Sequence, residues 1–174
     1  MSIAESLPLH PLFIHLPVVL IPAFIATVSI YLLIPRLRHR IGWLMSGLAV
    51  IAAVTTLIGW WSGHQFYDQH VEMISAAGAD TGKFTTMLAD HLSYGDIIVW
   101  LVPATAALAL VFGFLDRKRR HVDTTQSTSS TTRTMGFVMI GLATATLVMA
   151  VASGWLVFQT GHSGAEVVWS PEGK

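Results

Sequence analysis

The chain has 174 residues, no cysteine, and ten Lys+Arg against ten Asp+Glu, so its formal charge is zero. Only 11% of residues are charged while 53% are hydrophobic, and the mean hydropathy is +0.61. That balance excludes a disordered chain, a basic nucleic-acid binder and a disulfide scaffold.

The first apolar stretch covers residues 11–34 and lacks Asp, Glu, Lys and Arg. No basic residue precedes it, only Glu5, and it outruns the 7–15-residue apolar segment of a signal peptide. It is read as a retained transmembrane helix, with Pro17 and Pro22 expected to kink it. A short basic turn follows, holding Arg36, Arg38 and Arg40. A turn that short makes the first two helices antiparallel neighbours.

The second uncharged stretch, 41–61, ends in Gly59-Trp60-Trp61. Beyond it, 62–96 carries Phe66, Tyr67, Met73, Ile74, Phe84, Met87 and Leu88, enough to pack on a membrane surface or cap a bundle. The third stretch, 97–115, contains Pro103 and is followed by Arg117, Lys118, Arg119 and Arg120. Residues 121–134 are a Ser/Thr run read as a flexible linker. The fourth stretch, 135–158, has Gly141-x-x-x-Ala145 and Ala150-x-x-x-Gly154, spacings that let helices approach closely.

Each uncharged stretch has 19 to 24 residues, close to the roughly 20 that a helix needs to cross a bilayer. The expectation is an all-α integral membrane four-helix bundle in one domain, 1–174. Its helices are placed at about 11–34, 41–63, 92–115 and 135–159. An outer segment spans 64–91 and a cytoplasmic linker 116–134. Eight of the ten basic residues lie in the two inner connections, which puts both termini outside by the positive-inside rule. The inner halves of the helices offer no charged residue, which argues against ion transport across the full width.

Histidine distribution is the most informative chemistry. His39 and His121 lie in basic inner segments, while His10, His15, His64, His70, His91 and His162 lie on the outer side. His15, His64, His91 and His162 bring one imidazole per helix to the same level. A polar group near hydrocarbon is costly and faces the bundle interior or water. Taken singly, each is accounted for by capping a helix end. Four converging ones suggest a cofactor site in a bundle core. A b-type haem clamped by His15 and His91 fits, with His64 and His162 as substitutes. A Cu or Zn site using His64, Asp68 and Glu72 at i, i+4 and i+8, or His162 with Glu166, is the second chemistry. An ordinary solvated outer face also explains those carboxylates.

The opening string His10-Pro11-Leu12-Phe13-Ile14-His15-Leu16-Pro17 resembles the start of a bacterial family of small predicted membrane proteins of unknown function. Members have four helices, a His at the start of the third and a Gly-rich end to the fourth. His91 and Gly154…Gly161-His162-Ser163-Gly164 resemble that pattern, and the resemblance covers nearly the whole chain. The segment around 70–80 is longer than the family pattern. The resemblance implies the bacterial cytoplasmic membrane and haem binding or an association with respiratory electron transfer. Partners expected are the lipid bilayer and a membrane redox complex or a second copy, with no nucleic acid. The alternatives are a cofactor-free structural subunit of a membrane complex and an outward-facing Cu- or Zn-binding protein. A stand-alone enzyme is not expected, since the chain lacks Cys, a serine-nucleophile motif and a His-Glu-x-x-His string.

Overall fold

The computed structural model describes residues 13–76, 82–122 and 129–169. Among them the chain is all helical: α1 His15–Leu33, a 3-10 turn Pro35–Leu37, α2 Arg38–Ala76, α3 Gly82–Val122 and α4 Ser129–Trp169. Four helices are long and apolar enough to cross a membrane, as a multi-pass membrane protein requires. The four close into a ring in which α1 and α3 both pack on α2 and α4, so α1 and α3 lie on the diagonal.

The turn after α1 follows from local chemistry. Pro35 has no N–H and pushes Ile34 out of helical geometry, to φ −119° and ψ 84°. The helix would then end on orphan carbonyls in an apolar setting. Arg38 answers them: Nε donates to the Tyr31 carbonyl and Nη2 to the Leu32 carbonyl, both at 2.8 Å. Pro17 falls in the first turn of α1, where no intrahelical donor is lost. Pro22 and Pro103 lie inside α1 and α3.

The core mixes aromatic and small side chains. Phe24, Val28 and Tyr31 of α1 meet Met45 and Ala49 of α2, Phe112 of α3 and Ala150 of α4, all fully or almost fully buried. Alanine at 0% exposure on three helices sets close backbone approach, the usual basis of helix association in lipid. Outward faces are apolar as well: Phe137 is 70% exposed and Trp100 79%. In water that surface would be a liability, whereas in a bilayer it meets acyl chains. Midway along, Thr105 of α3 and Ser153 of α4 pair through their hydroxyls at 3.3 Å, both buried.

The two ends differ in chemistry. At the arginine end Asp116 is buried, 6% exposed. It accepts from Arg38 Nη1 at 3.0 Å, from Tyr31 Oη at 3.1 Å and from Arg120. Arg38 also lies over the Phe112 ring, 5.1 Å from its centroid. The sequence-based expectation that the inner halves carry no buried charge is therefore corrected. Asp116 is one residue past the apolar stretch, and helix α3 continues through it and turns it inward.

Two connections also differ from expectation. Residues 64–76 continue α2 rather than forming a separate outer segment, while 82–91 continue α3, in line with a third helix that extends outward over 83–96. Within 116–134, residues 116–122 belong to α3 and 129–134 to α4. No proline or glycine interrupts 114–122, and Lys and Arg are good helix formers, so hydropathy ends before the helix does. The part of the expected linker at 123–128 lies outside the described residues, as do His10, Pro11 and Leu12 of the opening string.

Candidate functional site

Trp60 follows Arg38 by 22 positions along α2, about 33 Å of rise and close to a bilayer's hydrocarbon thickness. Trp60 and Trp61 of α2, with Trp155 of α4, are exposed at the far end from the arginines. Amphipathic rings sit at this level in membrane proteins. His64 lies one turn beyond Trp60.

A cavity of about 470 Å³ opens at this histidine end. Helix α1 contributes the stripe Ile14, Pro17, Val18 and Ile21. From α2 come Thr56, Gly59, Trp60, Gly63, His64 and Phe66. Helix α3 adds Leu88, His91, Leu92, Gly95 and Ile98. Val157, Thr160, Gly161 and Gly164 of α4 complete the wall. Its size and mostly apolar lining, with two imidazoles converging, are those of a small-molecule or cofactor pocket.

His91 is the better anchored of the two imidazoles. Its Nδ1 lies 3.1 Å from Ser163 Oγ, and the Thr160 carbonyl also bonds the ring. Ser163 Oγ in turn donates to that same carbonyl at 3.1 Å. Gly164 lets the ring approach α4, because a Cβ there would stand 3.0 Å from His91 Cε1. Three small or polar features of α4 thus hold one side chain of α3.

His64 is held differently. Its Nδ1 lies 3.1 Å from the Trp60 carbonyl of its own helix. Its Nε2 lies 3.4 Å from Asp96 Oδ1 of α3, to which Trp60 Nε1 donates at 2.7 Å. The Trp60 and His64 rings are 4.6 Å apart. Both nitrogens of His64 therefore face acceptors, and Asp96 ties α2 to α3 at the cavity mouth.

The structure brings His64 and His91 to one cavity and leaves the other candidates outside its lining. His15 is exposed at the start of α1, off the stripe that Ile14, Pro17 and Val18 turn inward. His162 is exposed, stacked on Phe158 with parallel rings 6.3 Å apart, and its Nε2 is 3.4 Å from Glu166 Oε1. Asp68 is exposed on α2. Among the described residues no three of His, Asp and Glu are gathered as a metal site. The His70 side chain lies outside the description.

Sequence reasoning placed Trp60, Gly59, Gly63 and Gly161 at the level of the site and missed Asp96, Ser163 and Gly164 as parts of it. The string Gly161-His162-Ser163-Gly164 drew attention to its histidine, yet His162 faces away while its neighbours reach His91. The spacing of Val157, Thr160, Gly161 and Gly164 was the available signal, a helical stripe that narrows toward small residues.

No family model, curated protein or solved structure matches this chain.

Proposed function

We propose that the chain is a bacterial inner-membrane protein that holds a b-type haem in the histidine-end cavity and acts in or beside respiratory electron transfer. The observation that carries this reading is the apolar, glycine-walled cavity with His64 and His91 on neighbouring helices. The positive-inside rule supports an arginine end in the cytoplasm, with the cavity and both termini on the outer side.

The residues present fit the group. Planar macrocycles need apolar walls and small residues where ring meets backbone, which Gly59, Gly63, Gly95 and Gly161 supply. His91 is the first ligand, oriented by Ser163 and Thr160 as supporting bonds orient metal-ligating histidines. His64 is the second, and taking that role exchanges its contact with Asp96. His15 and His162 lie outside the lining and rank behind these two. A haem bound there supplies one-electron chemistry, while the surrounding apolar side chains keep water from it.

The test is a reduced-minus-oxidised visible spectrum of protein purified from haem-replete cells. Sharp low-spin Soret and alpha bands are expected, and His91→Ala should lose them. A colourless protein without stoichiometric metal overturns the cofactor and leaves a structural or accessory subunit of a membrane complex. Stoichiometric copper or zinc would replace haem instead and send the search for ligands to His64, Asp68 and His162.

A further inference from the structure

The arginine end holds a second cavity, of about 460 Å³, that no part of the haem reading uses. We propose that it binds a phosphate ester, the headgroup of an anionic phospholipid. Its walls carry Arg38, His39, Arg117 and Arg120 around a single carboxylate, Asp116. That carboxylate is already committed to Arg38, Arg120 and Tyr31. Arg117 stands outside this network and has no carboxylate partner among the described residues. With three guanidinium groups against one carboxylate, the cavity carries an excess of positive charge. A phosphate diester supplies the missing anion, and guanidinium groups match its oxygens bidentately.

The surroundings favour a lipid as the source of that phosphate. Trp43 lines the cavity and is 73% exposed, as an interfacial ring would be. Leu33, Ile34 and Leu44 are exposed apolar residues in the adjoining turns of α1 and α2, a surface for acyl chains. Basic pockets between helices at the cytoplasmic face suit anionic headgroups. Gly42 keeps the cavity open: a Cβ there would lie 3.3 Å from both Arg117 Nη2 and Tyr31 Cε2. Asp116 holds Arg38 and Arg120 in place, so the site is formed before its ligand arrives.

The experiment measures binding of phosphatidylglycerol and of phosphatidylcholine to the detergent-purified full chain by native mass spectrometry. The variants are Arg117→Gln and, as a second and exposed position, His39→Gln. Retained helicity and an unchanged melting midpoint without lipid show that they fold. The expected result is preferential binding of phosphatidylglycerol, weakened about fivefold or more in Arg117→Gln, the scale of one basic residue at an anionic surface. His39→Gln should weaken it less. Equal binding of the two lipids, or full affinity in Arg117→Gln, overturns the proposal. Inorganic phosphate that displaces the lipid at low millimolar concentration overturns the lipid as the source. Haem content reads the other end separately, so either idea can fail alone.

Discussion

The two ends of this bundle solve opposite problems. At the arginine end Asp116, Arg38, Arg120 and Tyr31 link three helices, and among the described residues no buried side-chain nitrogen or oxygen lacks a partner. At the histidine end glycines replace bulk, and two imidazoles stand at the edge of an apolar cavity. The first arrangement fixes helix positions. The second leaves space between helices whose positions are fixed elsewhere. A small membrane protein has little core to spare, and here firmness and room are separated along the bundle axis rather than mixed.

That division can be broken most severely from the arginine end. Asp116→Asn removes the only buried negative charge at that end among the described residues and leaves Arg38 and Arg120 facing one another without it. Breaking a buried pair in this way costs about 3–5 kcal/mol. The melting midpoint in detergent should fall sharply, while any spectrum from the cavity survives below the new midpoint. Simultaneous loss of the spectrum at low temperature would show that the ends are not independent.

A substitution at the other end should do the reverse. Gly164→Val places a branched side chain where a Cβ alone meets His91 Cε1 at 3.0 Å. Overpacking of this kind costs about 1–3 kcal/mol. The larger consequence is displacement of the His91 ring from Ser163, read as loss of ligand from the cavity with phosphatidylglycerol binding intact. An unchanged cavity spectrum would mean that the approach of His91 to α4 does not matter to the site.

The smallest effect belongs to the middle. Thr105→Val keeps shape and removes one side of the contact with Ser153. Side-chain hydrogen bonds between membrane helices average about 0.6 kcal/mol. The melting midpoint should move slightly, with both ends unaffected. A drop as large as that of Asp116→Asn would place the anchor of the bundle at its centre instead.

How much of this was legible in the sequence depends on what a bilayer erases. Helix existence was plain, because long uncharged runs suit a bilayer span and little else. Helix phase was not, since a lipid-facing helix is apolar all round and shows no stripe. His15 was therefore expected to face the bundle, although the buried residues of α1 are Pro17, Ile21, Phe24, Val28, Tyr31 and Leu32. Helix ends were equally hidden, because hydropathy stops at Trp61 while α2 runs on to Ala76. Asp116 was read only as a loop charge, and its bond to Arg38 joins residues 78 apart in sequence. His64 and His91 stand out in the sequence by their distance to the apolar boundary, and both line one cavity, whereas their partners Asp96 and Ser163 come from other helices.

Between the two ends, residues 41–63, 97–115 and 134–161 contain no Asp, Glu, Lys, Arg or His. The hydroxyls of Thr55, Thr56 and Thr146 donate to carbonyls of their own helices, and one of Thr105 and Ser153 donates to the other. Such a stretch has low permittivity and offers no step for a proton or an ion. In an energised bilayer it behaves as an electrical insulator, so most of the voltage drops across it. The arginine cluster then lies at the edge of the field, whereas the floor of the histidine cavity, at Thr56, Ile98 and Val157, reaches into it. Occupancy of the arginine end should respond to the leaflet it faces and hardly at all to membrane potential, while a charge carried in the histidine cavity would feel part of it.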